Sequence, residues 1–382
     1  MHQLNLGVIA RSRKENEHRV PIHPRHLERI DPGLRRSIYL EHGYGERFGI
    51  PDEQLAGSVA GLHSREQLIA ECDVILLAKP LSEDLAELRS GQVLWGWPHC
   101  VQDDKLTQLA IDKQLTLIAF EAMNHWGRDG SFSLHVFHKN NELAGYSSVL
   151  HALSLIGSTG DYGRRLRAIV IGFGATARGA VTALSALGVH DVHILTQRGV
   201  TAVSSPIHSA TMVHFDHDVN SPGDPRRSHA LTPNGRVPLA GYLAEHDIVV
   251  NCVLQDTAAP LTFLLEEDLA AFKPDSLIID VSCDEGMGFS WARPTTFTEP
   301  TFTVGGITYY GVDHSPSYLW NSASWEISEA LLPHLATVLA GPSTWDTDET
   351  VRRAVEISDG VIRNPAILAF QDRLPEYPHP HR

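Results

Sequence analysis

The stretch AIVIGFGATARGAVTAL, residues 168–184, decides how this chain folds. Residues 168–171 form a short apolar, β-branched run ending on Gly172, as a strand buried in a parallel sheet does. Gly172, Gly174 and Ala177 then fill a G-x-G-x-x-A spacing, and residues 180–187 read as a helix. The first glycine permits a tight turn and the second lets a pyrophosphate approach the backbone. The small third residue lets helix and strand pack closely, and the helix N-terminus receives the anion. A lone glycine pattern is weak, but strand, turn and helix in this order point to dinucleotide binding rather than a bland glycine-rich turn. Ala175 and Thr176 belong to the same cofactor-binding set.

Folds of this kind place an acidic residue about twenty positions on, where it takes the ribose hydroxyls. Here the second strand, residues 191–195, runs into Thr196, Gln197 and Arg198, and no carboxylate stands at its end. A neutral tip followed by an arginine suits a 2′-phosphate. The expectation is NADP(H), with NAD(H) as the alternative; the plainer reading of Arg198 is a solvated loop residue.

At 382 residues the chain is long enough for two domains with cores of their own. Its net charge of −15 argues against nucleic-acid and anionic-membrane partners. The opening MHQLNLGVIARSRKEN has no basic stretch leading into a long apolar one, and no run approaches the roughly 18 apolar residues of a membrane span. A cytoplasmic protein is expected. Cys72, Cys100, Cys252 and Cys283 stand far apart, and the sober reading is reduced core thiols. The 22 histidines show no metal-ligand spacing.

Strand-like runs at 4–10, 37–41, 73–79, 93–97 and 115–121 alternate with amphipathic stretches such as 65–71 and 103–112. Such alternation predicts an α/β domain whose parallel sheet carries helices on both faces. Residues 141–156 read as one long helix leading towards the dinucleotide turn. A second sheet takes 168–171, 192–195, 211–215, 247–253 and 276–281, and helices return at 326–340 and 350–355. The fold class expected is α/β with two Rossmann-like doubly wound domains. The dinucleotide domain, 141–315, is inserted into a substrate domain formed by 1–140 and 316–382. Residues 216–238, rich in Pro, Gly, Ser, Asn and charge, read as a disordered excursion or a lid. The ending EYPHPHR reads as a polar, proline-broken tail.

Three stretches of the first half look chemical. Arg19 stands in KENEHRVP (14–21), in a loop after the first strand, as a carboxylate-binding arginine would. Lys79 ends the apolar run LLAKP (76–80), and His99 ends WGWPH (95–99). Open α/β sheets bind ligands at the carboxyl ends of their strands, so Lys79 and His99 converge on one crevice. Singly, each has a plain alternative: a surface ion pair, a snorkelling lysine, a satisfied core histidine.

The chain resembles the alanine dehydrogenase and pyridine nucleotide transhydrogenase superfamily, which includes saccharopine dehydrogenases. Within it, the N5-(carboxyethyl)ornithine synthase branch, an opine-type group, is most similar. The resemblance rests on KENEHRV (14–20), EHGYGERFGI (41–50), GWPHCVQ (96–102), NELAG (141–145), IGFGATARGA (171–180), VVNCVLQDT (249–257), IIDVSCDEGMG (278–288) and VDHSP (312–316). It implies that Arg19 grips the substrate carboxylate, Lys79 holds the carbonyl or imine oxygen side, and His99 is catalytic. Asp284 then lies near the nicotinamide and is needed for turnover; its plainer alternative is a turn residue. Cys252, Val253, Leu254, Val281, Asp313 and His314 fall among the cofactor contacts, His314 also facing substrate. Alanine dehydrogenases carry an asparagine where this chain has His314 and a small residue where it has Asp313, so their activity does not transfer simply.

Reductive amination needs a 2-oxo acid held by its carboxylate, which a guanidinium does bidentately. It also needs a group that gives and takes protons near neutral pH, a role suited to His99, and a cation such as Lys79 beside the developing alkoxide. The expected substrates are small: a 2-oxo acid and an amine. An amino acid such as ornithine or lysine gives an N-(1-carboxyethyl) product, ammonia gives alanine, and 2-oxoglutarate with lysine gives saccharopine chemistry. The first is favoured, with Arg128 and Lys139 as candidates for a second carboxylate, each otherwise a surface charge. The alternative from another class is an NADP(H)-binding sensor or scaffold without catalysis. A homo-oligomer is left open.

Overall fold

A computed structural model of the protein describes residues 3–197, 210–218, 220–221, 224–255 and 259–382. The chain forms two compact units, Met1–His138 with Trp320–Arg382, and Lys139–Leu319.

The first unit is built on an eight-stranded sheet. Its order is Val361–Ile362, Val355–Ser358, Thr116–Ala119, Val93–Gly96, Val74–Leu76, Leu6–Val8, Ile38–Glu41, Gly61–His63. The last six strands in that order run parallel, whereas Val355–Ser358 returns antiparallel beside Thr116–Ala119. Side chains alternate across the sheet as strand geometry requires. Val8, Val74, Leu76 and Trp95 enter a core with Ile327, Leu331 and Val338, while Ile75, Leu94 and Leu117 enter another with Leu106, Ile111 and Ile367. The run expected as a strand at 73–79 is a strand over Val74–Leu76, and Leu77 N and Ala78 O still bond Trp95 O and Trp97 N, at 3.1 and 3.0 Å, in the neighbouring segment.

The helices of this unit start where side chains cap them. Ser64 and Gln67 form a reciprocal capping box on Arg65–Glu71, and Asp103 accepts from Leu106 N at 2.9 Å at the head of Asp104–Asp112. The helix expected at 326–340 is instead Trp320–Leu331, a 3₁₀ turn Leu332–His334, and Leu335–Leu339. Pro333, at the head of that turn, has no N–H to continue the ladder. The ending is tied in rather than loose. Arg373 is fully buried, donates to His379 O at 3.1 Å and pairs with Asp104, while His379 Nε2 accepts from Ile362 N at 3.0 Å.

The second unit holds a nine-stranded sheet. Six strands are parallel, in the order Thr211–Asp216, Asp191–Thr196, Arg167–Ile171, Ile248–Asn251, Leu277–Asp280, Ile307–Tyr310, with antiparallel strands at both edges. The long helix is His138–Leu155, and its Gly145 meets Gly179 of Ala175–Ala186. A Cβ at Gly145 would lie 1.9 Å from Thr176 O, and one at Gly179 1.7 Å from Glu142 O, so the two backbones touch with no room for a side chain. The expected helix start at 180 is too late. The helix begins at Ala175, where small residues leave no apolar period to read.

The segment 216–238 is corrected too. Its described part folds into a 3₁₀ turn, Pro225–Arg227, and a hairpin, His229–Thr232 with Gly235–Pro238, that extends the sheet edge. The Asn234-Gly235 pair turns that hairpin, as this dipeptide does where φ is positive (Gly235, 117°). No helix among the described residues is long and apolar enough to cross a membrane. All four cysteines are buried free thiols, and burial pushes the Cys72 thiol up to about 12.

Candidate active site

In the first unit, three neighbouring parallel strands each release one ionisable side chain at the carboxyl end. Val74–Leu76 leads to Lys79, Val93–Gly96 to His99, and Thr116–Ala119 to Glu121. The strands come close because Gly96 has no side chain: a Cβ there would lie 2.0 Å from Leu77 O. Trp97 N donates to Ala78 O at 3.0 Å, which fixes the backbone beside Lys79, and the Lys79 carbonyl accepts from the Ser12 hydroxyl.

Glu121 joins the other two. Its Oε1 accepts the His99 backbone N–H at 2.6 Å and stands 3.9 Å from His99 Nδ1, while Lys79 attracts its negative charge. His99 itself sits at φ 50°, a left-handed conformation that turns the chain out of the strand. Its side chain is two-fifths exposed, at 42%, open enough to meet a ligand. Burial and the nearby Glu356 carboxylate push Glu121 above the ordinary carboxylate range, against the His99 N–H and Lys79. His135, with Nε2 3.2 Å from Phe120 O, is driven down to about 4 by burial and is neutral near pH 7.

Arg19 is reached through Trp97, its guanidinium carbon lying 5.3 Å from the indole centroid. Buried Glu17 takes the Arg19 Nε at 2.8 Å and pairs with Nη2 on the same edge. The loop carrying both is held by Tyr44, whose hydroxyl donates to Ile22 O at 2.6 Å, and by Ser324 Oγ, which accepts from Val20 N at 2.9 Å. Beside it lies a cavity of about 600 Å³, lined by Ser12, Lys14, Glu17, Tyr44 and Arg47 among others. Arg128 is exposed at the turn of the hairpin Asn124–Trp126 and Phe132–His135. Lys139, in the second unit, forms an exposed pair with Glu142 at 2.8 Å.

In the second unit, Gly172 adopts φ 113°, and a Cβ there would come 3.1 Å from Cys252 O. Gly174 caps Ala175–Ala186 with no side-chain bond, and open space surrounds the place where its Cβ would be. The helix N-terminus, with its unfilled N–H groups and positive dipole end, therefore fits a pyrophosphate. Ala177 is fully buried against the sheet. Thr196 closes the second strand, buried, and Gln197 is exposed with Nε2 2.5 Å from His217 Nδ1; Arg198 lies outside the described residues.

Cys252, Val253 and Leu254 follow the strand Ile248–Asn251. Cys252 is buried and Leu254 strongly exposed. Val281 donates to Asn251 O at 2.9 Å. Asp284 emerges one residue after Cys283, which holds φ 43°, and its carbonyl accepts from Met287 N at 3.0 Å. Behind that turn, fully buried Asp280 accepts from Asn251 Nδ2 at 3.0 Å, Tyr309 Oη at 2.9 Å and Cys283 N at 3.0 Å; burial raises it to about 6. His314 is buried, with Nδ1 2.7 Å from Asp313 Oδ1 and its ring edge-on to Phe297.

Glu17, Glu121 and Asp280 were not singled out from the sequence. Glu121 and Asp280 obey the same strand-end rule that marked Lys79 and His99. Glu17 carried no signal, since two residues apart in a loop implies no contact.

Residues 7–144 match the family of the alanine dehydrogenase/PNT N-terminal domain, and residues 159–365 that of its C-terminal domain. An N(5)-(carboxyethyl)ornithine synthase of Clostridium botulinum is 26% identical over 342 residues, covering 87% of this chain and 94% of the relative. An alanine dehydrogenase of Mycolicibacterium smegmatis is 23% identical over 377 residues, covering 94% and 95%. Among solved structures, an L-alanine dehydrogenase superposes with a TM-score of 0.74 at 19% identity, over 96% of this chain and 99% of that one, a likeness of fold.

Proposed function

The chain belongs to the alanine dehydrogenase/PNT family of NAD(P)-dependent dehydrogenases, and from that premise we propose that it reductively condenses a 2-oxo acid with the amine of an amino acid. Pyruvate and ornithine or lysine are the favoured pair, giving an N-(1-carboxyethyl) amino acid. The carrying observation is the row of Lys79, His99 and Glu121 at three adjacent strand ends. In this reading the edge of Arg19 away from Glu17 holds the oxo-acid carboxylate. Lys79 stabilises the oxygen that becomes an alkoxide when the amine attacks. His99 relays one proton from the attacking amine to that oxygen and then gives it a second, drawn from solvent, so that water leaves and an iminium remains. A dinucleotide held at the turn of Gly172 and Gly174 would supply, through its nicotinamide, the hydride that reduces the iminium carbon.

Two observations support an amino acid as the amine. The carboxyethyl-ornithine synthase is similar along most of the chain. The cavity beside Arg19 also presents Lys14 and Arg47, which suit a second carboxylate. Ammonia needs no such space. Production of free alanine, as by the similar alanine dehydrogenase, is the second reading. NADP(H) is favoured over NAD(H) because Thr196, not a carboxylate, ends the second strand.

The test is oxidation of reduced nicotinamide with pyruvate, supplying ammonia in one cuvette and ornithine or lysine in the other. Turnover with the amino acid, with a product of matching mass, is expected. Turnover with ammonia alone makes the second reading correct.

A further inference from the structure

We propose that the chain leaving the strand Thr211–Asp216 completes a site for a phosphate monoester: His217 and Gln197 hold the 2′-phosphate of NADP(H), and Arg236 and Arg227 neutralise the two carboxylates beside it. This rests on the cofactor reading given above and names the residues that take the phosphate.

Thr211–Asp216 runs parallel to Asp191–Thr196, with His214 level with Thr196. Gln197 follows the one strand and His217 the other, so two neighbouring strands deliver both residues to the same end of the sheet. Each strand residue advances the chain by about 3.3 Å, which carries His217 further out than Gln197. The two side chains still meet, with Gln197 Nε2 2.5 Å from His217 Nδ1. The amide donates there, so Nδ1 is an acceptor and the neutral ring carries its hydrogen on Nε2. That nitrogen has no hydrogen-bond partner among the described residues, and the amide keeps a second hydrogen. Two N–H donors thus remain unspent at the strand end where folds of this kind place the ribose.

A phosphate monoester carries about 1.5 to 2 negative charges near pH 7 and offers three acceptor oxygens. It needs donors, and it needs neighbouring carboxylates to be neutralised. His217 stands between two of them, Asp216 and Asp218. Asp216 accepts from Arg236 Nη2 at 2.9 Å, and Arg236 sits on the outer strand of the hairpin that pairs with Thr211–Asp216. Asp218 accepts from Arg227 Nη1 at 2.6 Å and from Asn220 N at 3.0 Å, with Arg227 in the turn Pro225–Arg227. The described part of 216–238 therefore has a definite use. It brings two arginines to carboxylates that would otherwise repel a phosphate bound at His217. NADH carries a hydroxyl in place of that phosphate and gains little from the same groups.

Fluorescence titration of the full-length protein with NADPH and with NADH, in the absence of substrate, reads the site apart from turnover. His217→Ala should weaken NADPH binding by about tenfold or more and leave NADH within about twofold, because only the phosphate loses a charge-assisted bond. Arg236→Gln should weaken NADPH in the same sense by a smaller factor, since its pair with Asp216 is exposed and screened. Equal losses for both cofactors would show that His217 merely holds the strand end, and an unchanged NADPH affinity would remove it from the site. Phosphorus NMR of NADP⁺ bound to the wild type needs no variant. The bound 2′-phosphate should stay dianionic below the pH of about 6 at which a free monoester takes a proton. A 2′-phosphate that titrates as it does in the free cofactor overturns the proposal. A wild type that binds NADH more tightly than NADPH overturns the cofactor reading and this site together; a preference for NADPH that His217→Ala leaves intact overturns the site alone.

Discussion

Glu17 and Arg19, two positions apart in one loop, meet side chain to side chain in the interior: Arg19 Nε donates to Glu17 Oε1 at 2.8 Å, and the same carboxylate oxygen accepts Arg19 N at 3.0 Å. Neither partner has water to fall back on, since their side chains are 1% and 4% exposed. Removing one takes from the other, in the interior, the countercharge that meets this edge, a change of the kind that costs about 3–5 kcal/mol. Glu17→Ala should lower the denaturant midpoint accordingly. Glu17→Gln keeps the shape and one acceptor, and should raise KM for the oxo acid more than it lowers kcat, because it loosens the guanidinium and not the chemistry. A denaturation curve and a KM both unchanged in Glu17→Ala would remove Arg19 from the site.

The three strand ends make a sharper demand. If His99 moves protons and Lys79 stabilises the oxygen, His99→Gln and Lys79→Met should each lower kcat by about 10²–10⁴. Dinucleotide affinity should survive in both, because the turn at Gly172 and Gly174 belongs to the other unit. Fluorescence quenching by the reduced cofactor separates the two effects. Near-normal turnover in either variant would end the assignment.

Much of this was readable from the residue order because the informative signals were local. The dinucleotide turn is a strand, two glycines and a helix within one short stretch, and Lys79 and His99 each close an apolar run. What stayed hidden depends on distant partners. The strand Val355–Ser358 lies beside Thr116–Ala119 only because the chain leaves the first sheet, builds a second, and returns antiparallel. The hairpin at 229–238 was masked by its polar composition, although Asn234-Gly235 announces its turn. Gly145 and Gly179 looked like ordinary helix glycines until the two backbones were seen to touch. Gly179→Ala should therefore cost several times the ~1 kcal/mol gain that removing a helix glycine usually brings, with the sign reversed, and thermal unfolding would show it.

Cofactor choice turns on one position. Thr196 ends the second strand where an acidic residue would take both ribose hydroxyls and repel a 2′-phosphate. Thr196→Asp should lower kcat/KM with NADPH by about tenfold or more, the scale of a 1.4 kcal/mol change, and raise it with NADH. The ratio of the two, measured on one preparation, is the readout. A wild-type enzyme that already prefers NADH would reverse the reading.

Asp280 gives the second unit a pH dependence of known sign. Its buried carboxyl titrates near 6 in the folded protein, above the ordinary aspartate value, because burial penalises the charge more than Cys283 N, Tyr309 and Asn251 reward it. The folded state thus binds this proton more tightly than the unfolded chain does. The stabilisation it brings is complete below about pH 4, declines as the pH rises towards 6, and is gone above that. Asp280→Asn keeps an amide of the same shape and carries no titratable group. Relative to that variant, the wild type should lose on the order of 3 kcal/mol of unfolding free energy between pH 4 and pH 7. Urea unfolding of both proteins at the two pH values measures the difference directly. Parallel curves would show that Asp280 holds its ordinary pKa. The turn that places Asp284 would then rest on an ionised carboxylate, and Cys283 N and Asn251 would be stronger donors than their distances suggest.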